Sequence, residues 1–500
     1  MWSSSMAQKN QGKIATTMKL RLLFHEYYSK HPDSIDIPQQ IHTREFAIQT
    51  WEQNWHCIEK RGRNESGKEV RTGCGKSGKS FQPIHECPHC HSKDVRATSW
   101  IRHVGYRTAA DMVKDLAISA PESVYHSAAF YKVPVATHMH EKEWMGAELV
   151  FDIDADHLDL KCSNDHDAWR CNNPNCRKTG TGRPPDVCPV CGDAWYCENP
   201  KCNKVGSGKL PKECPDCKSK VTQKQYGFST RKWICDNCLK VAKKHTIRLV
   251  DDFLIDDLGF DLDKIQINYS GHRGYHVRVH DPKVFKLDSN ARIEIVHYVM
   301  GSGFKGERAI SQERGANRIS NRDFPGWNGK VAKAMIEFIQ NLNGYSGKEK
   351  WVQTFKDEKL RSIAIDGLQR STPVLSPKVK GVGLKSWQEI AEKAVEFYGS
   401  EIDRPVTHDI HRVIRLIGSL NGKTGFVVSN LTRDELDHFD PFNDAIAFSE
   451  GSMKIHFHKG PKVPTFRIAG ETYGPFSDES LELPLGAAVF ALCKGVASIE

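Results

Sequence analysis

No apolar run in the sequence is long enough to cross a bilayer, and the first ten residues, MWSSSMAQKN, contain no apolar signal core. The first absence leaves no candidate membrane-spanning helix, and the expectation is a chain without a membrane partner. The second predicts an intracellular, cytoplasmic protein. Strong charge of one sign is lacking too: 71 Lys and Arg against 62 Asp and Glu leave a net charge of +9. That balance excludes a highly charged disordered chain and is compatible with a nucleic-acid partner. With 39% hydrophobic and 27% charged residues, 500 residues suffice for two to four globular domains. Cysteine is not scarce. Sixteen cysteines in a reducing compartment predict metal sites rather than disulfides.

The stretch GCGKSGKS, residues 73–80, spells a phosphate loop, G-x-x-x-x-G-K-[ST]. Such a loop must leave a buried strand and open a helix, so that backbone N–H groups face the phosphates. Here polar, turn-prone residues (GRNESGKEVRT) precede it, and Pro83 and a cysteine pair lie downstream. The expectation is a turn feeding a metal knuckle, with the glycines serving the turn. GSGFKG (301–306) lacks an acidic partner and is read as a loop. Cys493, alone in an apolar tail, is read as a core residue.

Two segments align without gaps, WRCNNPNCRKTGTGRPPDVCPVCG and WYCENPKCNKVGSGKLPKECPDCK. Both read W-x-C-x4-C-x11-C-x2-C. They supply Cys171, Cys176, Cys188 and Cys191, then Cys197, Cys202, Cys214 and Cys217, two sets suited to structural zinc. A further pair, Cys235 and Cys238, finds partners across the repeats in Cys162 and His166. A fourth group is Cys57, Cys74, Cys87 and Cys90, where His85, His89 and His91 compete as ligands. The count is three to four structural Zn²⁺ sites. Such ribbons can bind DNA, bind a protein or brace a loop, and their Lys, Arg and Asn content favours nucleic acid.

Asp152 and Asp154, in AELVFDIDADHLD, are two apart and share one face of a strand. Paired carboxylates repel unless a cation lies between them, and hard oxygen ligands suit Mg²⁺ or Mn²⁺. Two such ions about 3.5–4 Å apart can clamp the attacking and leaving oxygens of phosphoryl transfer. Asp156 continues the alternation near the strand's end. In KIQINYSGHRGYHVRVHD, strands over 264–269 and 275–280 flank the turn SGHRG, so that Ser270, Arg273 and His276 converge. A hydroxyl, a guanidinium fork and an imidazole suit a triphosphate. In EIDRPVTHDIHRVIRLIGSLNGKTG, Asp403 precedes an apolar spacing (Val406, Ile410, Val413, Ile414, Leu416) that predicts an amphipathic helix carrying Arg412 and Arg415.

The pieces REF (44–46), YHSAAFYKVP (125–134), GAELVFDIDADHL (146–158), SGHRGYHVRVHD (270–281), VTHDIHRVIRLIGSLNGKTG (406–425) and FDPFNDAIAF (439–448) span most of the chain in order. Together they resemble the small, catalytic subunit of archaeal and eukaryotic DNA primases, the archaeal form most closely. The resemblance implies a mixed α/β, two-lobed catalytic core with an RRM-like half, a helical subdomain and inserted zinc ribbons. It implies de novo synthesis of short primers on single-stranded DNA from NTPs, and a heterodimer with a large subunit carrying an iron–sulfur domain. Asp152 and Asp154 match the family's metal-binding aspartates and Asp403 the third. Ser270, Arg273 and His276 match its nucleotide-binding triad, and Arg415 and Arg44 match residues that contact the triphosphate. Where the family usually has a histidine, this chain has Asn421. The family's single zinc knuckle matches Cys162, His166, Cys235 and Cys238, with the two repeats inserted inside it.

The resulting organisation is a catalytic core over 15–56 and 91–161, a zinc-binding insertion at 57–90, the knuckle with its inserted ribbons at 162–238, further core at 239–329, helices at 330–395, and core again at 396–500. The competing reading is a non-catalytic zinc-ribbon nucleic-acid adaptor, which leaves the three aspartates and the SGHRGYH turn unexplained.

Overall fold

The computed structural model describes the chain except residues 1, 64–68, 159, 174–175, 193, 200, 203, 208–209 and 225. Its described residues form thirteen α-helices and several small sheets, a mixed α/β architecture. None of those helices is long and apolar enough to cross a membrane.

Two antiparallel sheets position the site. In the first, the long strand Phe46–Cys57 pairs with Ser123–Ser127, Val95–Val104 and Ser77–Ser80, and Val413–Arg415 adds beyond Ser123–Ser127. The second runs in the order Asn430–Leu431, Ile265–Tyr269, Gly274–Val279, Leu149–Asp154. Period-two alternation sorts its faces. Leu149, Phe151 and Ile153 are fully buried with Tyr275, Val277 and Val279 in one apolar core, and the helix Asp236–Arg248 packs on that side. Asp152, His276 and Arg278 point the other way, toward the first sheet. Arg278 bonds His126 Nε2 at 2.6 Å and donates to the Arg415 carbonyl at 2.8 Å. The site is therefore a polar seam between two sheets.

The first helix, Trp2–Lys30, buries Leu20, Leu23, Phe24, Tyr27 and Tyr28, a spacing of three and four that makes one helical face. Helices Trp327–Gln340, Lys350–Thr354, Glu358–Leu368 and Leu384–Tyr398 occupy the region read as helical, with Trp351 and Trp387 fully buried. Two local readings are corrected. The spacing after Asp403 gives only a short helix, Arg404–His408, because the Asp409 side chain accepts the His411 N–H at 2.9 Å and turns the chain. Val413–Arg415 then joins the sheet edge as a strand, pairing Arg415 with Tyr125. Before Gly73 there is a strand, Glu69–Thr72, but it belongs to a two-stranded hairpin with Lys60–Arg63. After Gly73 the chain forms the strand Ser77–Ser80, not a helix, so the phosphate-loop geometry is missing. Part of the polar stretch before it, 64–68, lies outside the described residues.

Candidate active site

The register of the second sheet builds the acidic end of the seam. Gly274 lies opposite Asp154 and His276 opposite Asp152. Gly274 is required there, since a Cβ would sit 1.9 Å from the Ile153 carbonyl oxygen. The chain leaves for the helical layer and returns with Asp403, whose N–H donates to the Asp152 carbonyl at 2.8 Å. Asp403 thus stands beside the aspartate strand, where it and Asp154 both act on the Asp152 carboxyl. Asp152 and Asp403 keep 22% and 17% of their side chains exposed, so the group is recessed yet reachable. Burial, then the charges of Asp154 and Asp403, push the Asp152 pKa up to about 8. Asp154 is likewise raised, by burial and by Asp156. An all-oxygen donor set whose own charges oppose ionisation fits a hard divalent cation.

The SGHRG turn closes the basic side. His276 Nε2 is 3.7 Å from Asp152. Asn268 donates to His276 Nδ1 at 3.2 Å, which leaves the proton on Nε2. Burial and the charges of Arg278, Arg415 and Arg412 hold this imidazole well below its usual pKa, so it is a neutral donor. Arg273 is 1% exposed, with Nη1 2.6 Å from Asp156 and 3.6 Å from Asp167. Arg415 stacks over Tyr125 at 4.4 Å, and its buried Nη1 has no hydrogen-bond partner among the described residues. Ser270 is held by Asn421, which donates to its carbonyl at 3.0 Å, while Thr424 donates to Gly271 O.

Arg44 is not brought to this group. It is fully buried, donates to the carbonyls of Gln39, Ser127 and Ala128, pairs with Glu148 and stacks on Phe130. A triphosphate contact from Arg44 requires it to leave these partners.

With this geometry, comparison with known proteins is decisive. A family model described as DNA primase small subunit matches residues 225–433. The DNA primase small subunit PriS of Methanothrix thermoacetophila is 30% identical over 425 residues, covering 80% of this chain and 89% of its own. The chain belongs to the DNA primase small subunit family. Similar relatives are the PriS proteins of Methanococcoides burtonii, 29% identical over 81% of this chain and 89% of its own, and Nitrosopumilus maritimus, 28% identical over 80% and 88%.

Among its described residues, this member of the primase small subunit family also carries four clusters that could hold metal ions. They are Cys57, Cys74, Cys87 and Cys90; Cys162, His166, Cys235 and Cys238; Cys171, Cys176, Cys188 and Cys191; and Cys197, Cys202, Cys214 and Cys217. In the first, the competing His85, His89 and His91 are exposed, outside the group. The contacting sulfur pairs lie 3.3–3.8 Å apart, and all ligand atoms of each cluster lie within 4.8 Å of one another. Tetrahedral zinc, with Zn–S of about 2.3 Å, sets sulfurs about 3.8 Å apart, so the donor sets fit zinc.

Sequence reasoning missed four contributors. Lys494 lies 3.2 Å from His272 Nε2. Lys232 faces Asp156 and Asp167 at 3.8 and 3.4 Å. Asp167 accepts from His166, and His157 lies 3.7 Å from Asp403. Only His157 carried a local signal, because it adjoins the aspartate strand.

Proposed function

We propose that this chain is the catalytic subunit of a DNA primase, making short primers on single-stranded DNA from nucleoside triphosphates by two-metal nucleotidyl transfer. The observation that carries the reading is the Asp403-to-Asp152 backbone bond, which joins a third carboxylate to the strand pair beside the SGHRG turn. Family membership supports it. The four-stranded antiparallel sheet with a helix on one face supports an RRM-like half to the core.

Mg²⁺ or Mn²⁺ held by Asp152, Asp154 and Asp403 would supply Lewis-acid activation of the attacking 3′-hydroxyl and charge neutralisation at the α-phosphate. The chain's own residues position the nucleotide. Arg273 and Arg415 present guanidinium donors, His276 a neutral N–H, and Ser270 a hydroxyl, holding the triphosphate in line. The Cys/His clusters hold structural Zn²⁺, and the partner is a primase large subunit.

Labelled NTP, single-stranded template and Mn²⁺ test the proposal. The wild-type chain should give short template-dependent products. Asp152→Ala should keep the fold and lose at least about a hundredfold in rate, the scale of a lost transition-state charge contact. A folded Asp152→Ala protein with wild-type synthesis would refute the site. A chain that binds template without making polymer is the adaptor.

A further inference from the structure

A chain of contacts runs from one metal cluster to the triphosphate arginine. In the group Cys162, His166, Cys235 and Cys238, His166 Nε2 turns to the sulfurs, 3.3 Å from Cys238 Sγ. Its Nδ1 donates to Asp167 Oδ1 at 2.9 Å, and the Trp233 N–H donates to the same oxygen at 2.8 Å. A carboxylate that takes the second N–H of a ligating histidine fixes the ring and its tautomer. That duty occupies Oδ1 alone. The other oxygen, Oδ2, is buried with no hydrogen-bond donor among the described residues, and it faces Arg273 Nη1 at 3.6 Å and Lys232 Nζ at 3.4 Å.

The carboxylate is more than the histidine needs. A backbone carbonyl would orient the ring equally well, whereas a buried carboxylate is tolerated only where cations pair with it. Here the pairing cations include Arg273, the buried guanidinium of the SGHRG turn. Among the described residues Arg273 has no hydrogen-bond partner of good geometry at Nε and Nη1, so its place is set by charge, from Asp156 on one side and Asp167 on the other. Asp156 sits in the turn after the carboxylate strand. Asp167 is anchored through His166 to the metal cluster.

We propose that Asp167 is a positioning residue that couples the Cys162, His166, Cys235 and Cys238 metal site to nucleotide binding, by holding Arg273 for the triphosphate through its second carboxylate oxygen. The inference rests on the nucleotide pocket proposed above.

Two variants cut the relay at different points. Asp167→Asn keeps the shape and an acceptor for His166 and removes the charge. His166→Cys keeps a four-ligand metal site and removes the imidazole link. For each, zinc per chain, the affinity for a fluorescent ATP analogue with Mn²⁺, and KM and kcat for primer synthesis are measured. Both should hold wild-type zinc, bind the analogue and show KM about tenfold weaker, and keep kcat within about twofold, the smaller end of outer-shell effects at metal sites. Asp167→Glu should recover part of the affinity. Wild-type affinity in zinc-loaded Asp167→Asn overturns the proposal. So does normal binding by His166→Cys, or an affinity loss that appears only where zinc is lost. A wild-type chain that binds no nucleotide refutes the functional reading instead.

Discussion

Lys494 ends the apolar helix Leu485–Cys493, with its ammonium beside His272 and 5.6 Å over the Trp233 ring. No carboxylate pairs with it among the described residues. Burial, then the charges of Arg273 and Lys423, push its pKa down to about 7. An unfolded lysine titrates near about 10.4, so between those values the unfolded chain binds more protons and stability rises with pH. The penalty is complete below about pH 7 and gone above about pH 10. Lys494→Met removes it. The variant, free of nucleotide, should melt a few degrees above wild type at pH 6, and the gap should close toward pH 10. Calorimetry across that range checks this; a gap independent of pH would contradict it. At this scale the sequence was legible where chemistry was local. Asp152, Asp154, Ser270, Arg273 and His276 announced themselves by spacing. Lys494 did not, because only the fold carries it to a turn more than two hundred residues away. Asn421 was half legible: the missing histidine charge could be read, but not its hydrogen bond that holds the Ser270 loop.

At the scale of elements, three of the cysteine clusters are copies of one module. Each has a central strand bearing W-x-C, namely Trp55 and Cys57, Trp169 and Cys171, Trp195 and Cys197. A second cysteine is followed four residues later by glycine: Cys74 and Gly78, Cys176 and Gly180, Cys202 and Gly206. That glycine pairs directly across the ladder from the tryptophan in all three. A Cβ there would meet the indole ring at 2.8, 2.4 and 2.2 Å. The gapless repeat made two copies plain. The third escaped because a hairpin, Lys60–Arg63 with Glu69–Thr72, is inserted between Cys57 and Cys74 and destroys the spacing. The helix expected across 406–416 failed for a related reason, since a sheet edge outcompeted local periodicity for Val413–Arg415. The packing makes a definite prediction. Gly206→Val forces Trp195 off its strand and opens that sulfur cluster, so one zinc of four per chain should be lost while the core melts normally. Elemental analysis beside a melting curve checks it, and retention of all four ions would show that the module tolerates the displaced indole.

In the whole molecule, the catalytic layer is interrupted by two excursions that return close to where they left. The helical layer departs and comes back through Ser400, bonded to the Val299 carbonyl at 2.9 Å, to deliver Asp403 to Asp152. The paired modules depart and return through one antiparallel ladder, in which Arg170 lies opposite Ser229. That arrangement explains why the approach of Asp403 to the aspartate strand was legible through the family resemblance and not through local spacing, which carries no sign of a contact across about 250 residues. It also makes the modules removable. Replacing residues 171–228 by Asn-Gly between Arg170 and Ser229 substitutes a two-residue hairpin turn of the favoured kind. The cluster of Cys162, His166, Cys235 and Cys238 and the seam lie outside the cut. The variant should fold, hold two zinc ions instead of four, and still extend a primer. The excised segment carries ten Lys and Arg against five Asp and Glu. Two zinc tetrathiolates add about four negative charges, so its net contribution is about one positive charge. The slope of log affinity for single-stranded template against log salt should therefore change by no more than about one. A fall of several units would place template phosphates on the excised modules, and failure to fold would show that the core depends on them.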